Sequence, residues 1–222
     1  RFDLATALFR DQDAQYSSLF AAITAEPVLR DRKMIAEPWD VTRYGLGEFS
    51  YPWREWNDFF RDSVRQFWLG DLARGFGEGV SDIASAISGS SGIFYHRGPT
   101  ASINFITAHD GFTLRDLVSY NEKHNELNLE DNRDGHSSNK SWNVGTEGET
   151  DDLGIQHIRQ SLKKSMAATL LLSAGVPMIN MGDEVNRTQN GSNNGYSVSA
   201  GENPWAQPRD LDAAAADMQD AF

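Results

Sequence analysis

The sequence predicts a parallel α/β fold, in which short apolar strands alternate with amphipathic helices. Three segments read as buried strands, at residues 33–39, 103–108 and 176–181, because each is apolar and carries or runs into polar residues at its carboxyl end. No internal repeat or low-complexity linker interrupts the alternation. Strands that alternate with helical segments are typical of repeated β-α units. Three strands should therefore deliver polar groups at their carboxyl ends.

Two longer stretches have the spacing of helices that cover a sheet. Gly175 follows the second stretch and fits a helix C-cap. In contrast, residues 121–152 and 186–208 are long, polar and weakly periodic, so they are predicted to be functional loops. The helical stripes comprise Phe60, Val64, Phe67 and Trp68 in the first stretch and Ile155, Ile158, Leu162, Met166, Thr169, Leu170 and Ser173 in the second.

Composition bounds the class of protein. A chain of 222 residues that is 39% hydrophobic can bury a sizeable core as one domain or part of one. The net charge of −12, with 20 scattered Lys and Arg residues, argues against a nucleic-acid partner. No apolar run approaches the roughly 20 residues of a membrane span, so a soluble protein with no membrane partner is expected. Because residue 1 is Arg, the chain is expected to be cut at its start.

Three acids stand at predicted strand ends. Residues 1–3 read as the end of a strand, and Asp3, Glu37 and Asp110 each come at such an end. Active-site residues of (β/α)8 barrels lie at this end of the strands. Cleavage of a glycosidic bond needs one carboxylate at the anomeric carbon and one acid to protonate the leaving oxygen. A lone carboxylate at a strand end is most often a helix cap or turn residue, so only the set supports this chemistry.

The neighbours of two acids suggest different roles. Arg1 lies two residues before Asp3 and so on the same face of a strand, where its guanidinium would favour the ionised carboxylate of a nucleophile. Glu37 follows an apolar strand and precedes Pro38 and Trp39, so partial desolvation should raise its pKa. A raised pKa suits a proton donor.

Other motifs of catalysis and metal binding do not match. The segment 130–135 resembles the start of a calcium loop, but Ser141 stands where a bidentate acid is needed. The absence of cysteine excludes thiolate metal sites, and the five histidines lack the spacing of a zinc motif. Residues 89–92 lack the spacing of a serine hydrolase elbow. A site without metal or cofactor is therefore expected.

Longer strings around the acids resemble the α-amylase superfamily, glycoside hydrolase family 13, and within it the bacterial glycogen debranching enzymes and isoamylases. The resemblance runs from residue 1 to about residue 196, whereas residues 197–222 read differently. The strings are RFDLA at 1–5, AEPWD at 36–40, FITAHDGF at 105–112, LRDLVSYNEKHNE at 114–126, NRDG at 132–135, GDE at 182–184 and RTQ at 187–189.

The resemblance implies a role for each site residue. By it, Asp3 is the nucleophile, Glu37 the acid/base and Asp110 the acid that stabilises the transition state. Arg1 and His109 would bind the sugar in the cleavage subsite, with Arg1 also fixing Asp3.

Two aromatic residues leave alternatives open. Trp39 and Tyr120 could be stacking platforms for glucose rings, since aromatic faces complement the apolar faces of sugars, or equally residues of the core.

The resemblance also implies the architecture. The acids would close strands four, five and seven, so the chain would be the C-terminal half of a (β/α)8 TIM barrel, from the end of strand four through strand eight, within a larger multidomain enzyme. Residues 1–222 would thus form part of one catalytic barrel. A barrel needs its full strand set, so the isolated chain is expected to be inactive and to need the N-terminal barrel half and accessory domains as partners.

The implied activity is retaining hydrolysis of α-1,6 branch linkages in glycogen or limit dextrin, in cytoplasmic glycogen catabolism. One alternative is an α-1,4-acting amylase or a glucanotransferase, distinguished by whether the loop at 121–152 admits a branch. A second alternative is a non-catalytic glucan-binding homologue, against which the presence of all three acids argues.

Overall fold

The centre of the fold is a parallel β-sheet. A computed structural model describes residues 1–9, 18–29, 31–71 and 79–195. Within these residues, four strands form one sheet in sequential order, and Phe2 adds a parallel bridge to Ala36 beyond the first strand. Every neighbouring pair is parallel. The strands are β1 Ile35–Ala36, β2 Arg54–Asn57, β3 Ser102–Phe105 and β4 Val176–Met178.

Helices lie before β1, between β2 and β3 and between β3 and β4, whereas residues 37–53, between β1 and β2, contain no helix. The described α-helices are α1 Ser18–Ala25, α2 Asp58–Arg65, α3 Val80–Ile87, α4 Ser91–Phe94 and α5 Leu153–Leu172, and a π-helical segment, Gln66–Asp71, continues α2. Short 3-10 helices span Ala5–Phe9, Pro99–Ala101, Asp116–Val118, Glu126–Asn128 and Asp183–Val185. None of the described helices is long and apolar enough to cross a membrane.

The main helices begin at capped residues. The Asn57 side chain accepts a hydrogen bond from the backbone N–H of Phe60 at the start of α2, at 3.0 Å. Asp152 accepts two at the start of α5, from Gly154 at 2.8 Å and Ile155 at 3.1 Å. Each cap satisfies otherwise unpaired N–H groups and contributes about 1 kcal/mol to helix stability.

The three predicted strands are confirmed, although each is shorter than its apolar segment. Their last residues leave the sheet and continue beyond its carboxyl edge. Strand β2 has no apolar run because its sequence is Arg-Glu-Trp-Asn, and composition did not reveal it. Its Glu55 is fully buried and forms an ion pair with Arg97, whose side chain is 7% exposed. That partner lies 42 positions along the chain, so local sequence does not reveal it.

Both predicted helical stretches are confirmed, but Gly175 is not the cap of the second. Helix α5 ends at Leu172, and its capping residue is Ser173 in an extended conformation. Gly175 has φ of +137°, and a Cβ there would lie 2.4 Å from the side-chain amide nitrogen of Asn104. The glycine is therefore required by close packing against β3.

The two faces of the sheet are packed differently. Helices α2, α3 and α5 cover one face with a large apolar cluster that includes Phe60, Ile83 and Met166. On the other face, a smaller apolar cluster comprises Trp56, Ile103 and Phe105. The fold is thus a parallel α/β layer, as predicted.

Residues 121–152 form a long irregular loop, as predicted, with one short 3-10 helix. The amide of Asn125 joins this loop to the second one, donating to Asn193 Oδ1 at 2.8 Å and accepting from its backbone N–H at 2.9 Å. Asn193 in turn donates to Asn139 Oδ1 at 2.7 Å. Residues 196–208 of the second predicted loop lie outside the described residues.

Candidate active site

The three predicted acids lie beyond the carboxyl end of the sheet. Asp3 follows the bridge at Phe2, Glu37 follows β1 directly, and Asp110 follows β3 after four intervening residues. Backbone hydrogen bonds join the first two segments, because Glu37 donates its N–H to Phe2 O at 3.0 Å. Leu4 donates its N–H back to Glu37 Oε2 at 2.6 Å. Parallel pairing thus sets Asp3 and Glu37 side by side.

Arg1 connects these two carboxylates. Its Nη1 lies 2.6 Å from Asp3 Oδ1, and its Nη2 lies 3.4 Å from Glu37 Oε1. The guanidinium carbon stands 4.0 Å from the ring centroid of Trp56, a cation–π contact from β2. The guanidinium is therefore held by two carboxylates and an aromatic face.

His109 lies between Asp3 and Asp110. Its Nε2 is 3.6 Å from Asp3 Oδ1 and 3.5 Å from Asp110 Oδ2. These three side chains are 46–58% exposed, so the group opens to solvent. The structure thus brings Arg1, Asp3, Glu37, His109 and Asp110 into one cluster.

Glu37 and Asp3 occupy contrasting surroundings. Glu37 is 4% exposed, whereas the side chain of Asp3 is 58% exposed. Burial raises the pKa of Glu37, and nearby Asp3 adds to that effect, while the Leu4 N–H and Arg1 oppose it. The pKa of Glu37 remains raised, in the predicted direction. A buried carboxyl with a raised pKa thus lies beside one that is exposed to solvent.

Trp39 lies at the cluster and Tyr120 does not. Trp39 lines a cleft together with Glu37, Trp56, His109 and Asp110. Tyr120 is only 9% exposed and packs in the helix-side core, with its ring centroid 6.2 Å from that of Phe112. A sugar stacks only on a ring with an open face, so the burial of Tyr120 favours the core alternative for this residue.

The segment that carries His109 and Asp110 is held by Asp183, which begins the 3-10 helix after β4. Asp183 accepts hydrogen bonds from the hydroxyl of Thr107 and from the N–H of Leu114, the latter at 3.0 Å. The Asp183 carboxylate therefore fixes the segment at both ends, at Thr107 and at Leu114. The sequence marks Asp183 only as a polar residue after an apolar strand.

Arg65 of α2 holds the start of the same segment. It is buried and donates from Nε and Nη2 to Ile106 O, at 2.9 Å and 2.6 Å, and from Nη1 to Asn139 O at 3.1 Å. The sequence around Arg65 gives no signal of this role, because both acceptors are backbone carbonyls that lie far along the chain.

One group of possible metal ligands occurs in the part of the chain that the structure describes. Atoms of Asp3, Glu37 and His109 lie within 4.8 Å of one another. Arg1 already bonds to both carboxylates, so the protein itself supplies a cation to this acid pair.

Comparison with known proteins identifies relatives of the chain. No family model matches it. It is 51% identical over 203 residues to the glycogen operon protein GlgX homolog of Mycobacterium tuberculosis, and 48% identical over 202 residues to the glycogen debranching enzyme of Erwinia tasmaniensis. The chain is homologous to bacterial glycogen debranching enzymes. Each alignment covers 88% of the chain, which spans 27% and 30% of the lengths of these relatives.

Solved structures of pullulanases share the fold. The pullulanase of Bacillus acidopullulyticus superposes with a TM-score of 0.63 at 22% identity, covering 100% of this chain and 24% of that one. The type I pullulanase of Bacillus subtilis, complexed with maltose, gives 0.59 at 25% identity and covers 96% of this chain and 28% of its own. The parallel α/β arrangement of this chain is therefore one that larger pullulanase structures also contain.

Proposed function

We propose that the chain supplies the catalytic acids of a cytoplasmic glycoside hydrolase that cleaves α-1,6 branch linkages of glycogen or limit dextrin in glycogen catabolism. One observation carries the proposal. A buried Glu37 with a raised pKa lies beside an exposed Asp3, and Arg1 bonds to both. This is the division between proton donor and nucleophile that glycosidic cleavage needs.

The reaction would proceed in two displacements. The Asp3 carboxylate attacks the anomeric carbon while Glu37 gives its proton to the glycosidic oxygen, which releases one glucan and leaves a glycosyl ester on Asp3. The Glu37 carboxylate then takes a proton from a water molecule as the water oxygen attacks the same carbon, which restores both acids. Two displacements retain the configuration of the sugar.

The spacing of the two acids supports retention. Oxygen atoms of Asp3 and Glu37 lie within 4.8 Å of each other. Inverting glycosidases separate their carboxyl groups by roughly 6.5–9.5 Å to admit a water molecule, whereas retaining ones keep them about 5–5.5 Å apart. The shorter separation favours direct attack by Asp3.

The surrounding residues would bind the sugar in the cleavage subsite. His109, placed between Asp3 and Asp110, can hydrogen-bond to sugar hydroxyls. Asp110 would stabilise the positive charge that develops on the ring in the transition state, and Arg1 would keep Asp3 in place. Trp39 lines the cleft and would stack on a glucose ring.

We also propose that the chain is the C-terminal half of a (β/α)8 barrel. The bridge at Phe2 and strands β1 to β4 would then be the end of strand four and strands five to eight. Apolar side chains stand exposed beside the outer strand β4, as an uncovered barrel half would leave them: Leu171 and Leu172 before it, and Ile179 and Met181 after it. The remaining strands, and any accessory domains, would lie elsewhere in a longer protein.

The decisive assay uses the full-length protein with phosphorylase limit dextrin and with unbranched maltooligosaccharides. Release of short linear chains from the dextrin alone is the expected result. Cleavage of the linear substrate would instead indicate an α-1,4-acting amylase or a glucanotransferase. Asp3→Asn should abolish turnover and spare glucan binding, while Asp82→Asn on the exposed surface of α3 serves as the control. Binding without turnover by the wild-type protein would indicate a non-catalytic homologue.

A further inference from the structure

A short hairpin follows the proton donor. Residues 38–45 turn back on themselves directly after Glu37, with a backbone bridge between Trp39 and Tyr44. Asp40 donates its N–H to Arg43 O at 2.8 Å, and Gly45 donates to Pro38 O at 2.7 Å. The hairpin thus carries two aromatic side chains next to Glu37.

Asp40 makes this hairpin rigid. Its Oδ1 accepts from the N–H and the hydroxyl of Thr42, at 2.6 Å and 2.7 Å, and from the N–H of Arg43 at 3.2 Å. Its Oδ2 accepts from the hydroxyl of Thr6 at 2.8 Å. The turn is therefore fixed to the segment that follows Asp3, and its aromatic residues keep their position relative to both catalytic acids.

Tyr44 combines an exposed ring with a fixed hydroxyl group. The residue is 57% exposed, and its hydroxyl donates to Asp58 Oδ1 at 2.8 Å. Asp58 lines the same cleft as Glu37 and Trp39. Burial of the hydroxyl and the neighbouring Asp58 raise the pKa of Tyr44, so the hydroxyl remains a donor. The ring is thus held at the edge of the cleft with aromatic surface open to solvent.

We propose that Tyr44 extends the aromatic surface of Trp39 into a subsite for the glucan chain that leaves in the first displacement. The inference rests on the proposed function, because the proton donor touches the leaving oxygen and the leaving chain must therefore lie against Glu37 and its neighbours. A fixed aromatic ring presents a flat apolar face to a pyranose and loses little conformational entropy on binding. The ligand class is an α-linked glucose chain of several units.

The test compares substitutions of Tyr44 in the full-length protein acting on limit dextrin. Tyr44→Ala removes the ring and should raise KM about tenfold, a loss in the range measured for aromatic contacts, with a smaller change in kcat. Tyr44→Trp should restore most of the lost affinity. Tyr44→Phe keeps the ring but removes the hydrogen bond to Asp58, so its KM should rise by no more than about threefold.

A matched control and a measurement without turnover complete the test. Tyr95→Ala removes another exposed tyrosine, 80% exposed and located before the amino end of β3, and should leave KM unchanged. Calorimetric titration of maltohexaose into the Asp3→Asn protein, with and without Tyr44→Ala, reads the subsite independently of catalysis.

The outcomes distinguish a failure of the proposed Tyr44 subsite from a failure of the proposed function. Equal maltohexaose affinity with and without Tyr44→Ala overturns the subsite, whatever the activity of the wild-type protein. Equal losses in Tyr44→Phe and Tyr44→Ala also overturn it, because the hydrogen bond to Asp58 would then be the contribution of Tyr44. A wild-type protein that binds maltohexaose through Tyr44 but does not cleave dextrin would refute the proposed function and leave the subsite intact.

Discussion

Asp3 and Glu37 lie side by side at the ends of paired segments of the sheet, but their surroundings differ. Glu37 is 4% exposed and accepts a hydrogen bond from the Leu4 N–H, so it loses hydration, whereas the side chain of Asp3 is 58% exposed. Arg1 is held by cation–π contact with Trp56, so its charge stays fixed between them. A permanent cation keeps two acids close together at a lower electrostatic cost than an unscreened pair would have.

Replacing Glu37 tests its role as proton donor. Glu37→Gln cannot protonate the leaving oxygen, so kcat on limit dextrin should fall by roughly 10²- to 10⁴-fold. A glycosyl fluoride, whose leaving group needs no proton, should recover most of the first-step rate in this variant. Single-turnover kinetics on both substrates measure this first-step rate, because loss of the general base also slows the second displacement. Glu26→Gln, in an exposed position after α1, is the control, and equal losses on both substrates would assign Glu37 another role.

At the scale of elements, Asp183 joins the end of β4 to the segment that follows β3. Asp183→Ala removes the two hydrogen bonds that Asp183 accepts from residues 107–114, so His109 and Asp110 should be held less firmly in position. We expect kcat to fall by about 100-fold with a smaller change in KM, since small displacements of catalytic groups are costly. Asp183→Asn, which keeps one acceptor oxygen, should retain more activity. If kcat is unchanged in a folded Asp183→Ala protein, the brace is irrelevant to catalysis.

Asp116 connects its 3-10 helix to the loop after β4, and it makes stability depend on pH. Burial raises its pKa from 3.8 to about 6, although Thr188 and Gln189 donate hydrogen bonds to its carboxylate. Below about pH 4 the carboxyl is protonated in both folded and unfolded chains, and above about pH 6 it is ionised in both. Rising pH should therefore lower the free energy of unfolding by on the order of 3 kcal/mol through this group.

Urea unfolding of the full-length protein between about pH 4 and about pH 7 measures this contribution. The wild-type protein should lose stability relative to Asp116→Asn as the pH rises, because the amide does not titrate. Asp82→Asn, on the exposed surface of α3, should follow the wild-type profile. Parallel profiles for the wild type and Asp116→Asn would show that the carboxyl titrates alike in the folded and unfolded chains.

The sequence predicts those strands and helices whose buried residues are apolar and close together in the chain. Strands β1, β3 and β4 are predicted from apolar segments that end on polar residues, and helix α5 from apolar residues at helical spacing. Strand β2 was not found, since its Glu55 is tolerated in the core only through a distant arginine. Tyr120 and Tyr44 could not be told apart either, because the exposure of an aromatic ring depends on tertiary packing.

For the candidate site, the strand-end rule and the resemblance named five of the clustered side chains in advance. They could not name the residues that support the cluster. Arg65 and Asp183 act through backbone groups that lie 41 and 69 positions away, and Trp56 lies on the undetected strand β2. Such contacts arise only once the chain has folded.

At the scale of the whole molecule, the outer strand β4 has no described neighbour beyond it, and apolar residues stand exposed beside it. We expect the purified 222-residue chain to be inactive, to bind a hydrophobic dye and to associate. Open strand edges and large apolar patches both favour association. Co-expression with the remaining barrel strands should suppress dye binding and restore dextrin cleavage. A monomeric chain that cleaves dextrin by itself would disprove the half-barrel proposal.

The asparagine contacts between the two long loops have an evolutionary consequence. Asn125 and Asn193 are buried, and the side-chain amide of Asn125 forms hydrogen bonds with the side chain and the backbone of Asn193. A change of length in either loop near these residues would therefore leave buried polar groups of the other loop without hydrogen bonds. Insertions should survive instead at exposed points such as Leu129 and Asp151. Homologues of this chain should therefore differ mainly at the tips of the two loops, while the loop bases around Asn125 and Asn193 are inherited together as one unit.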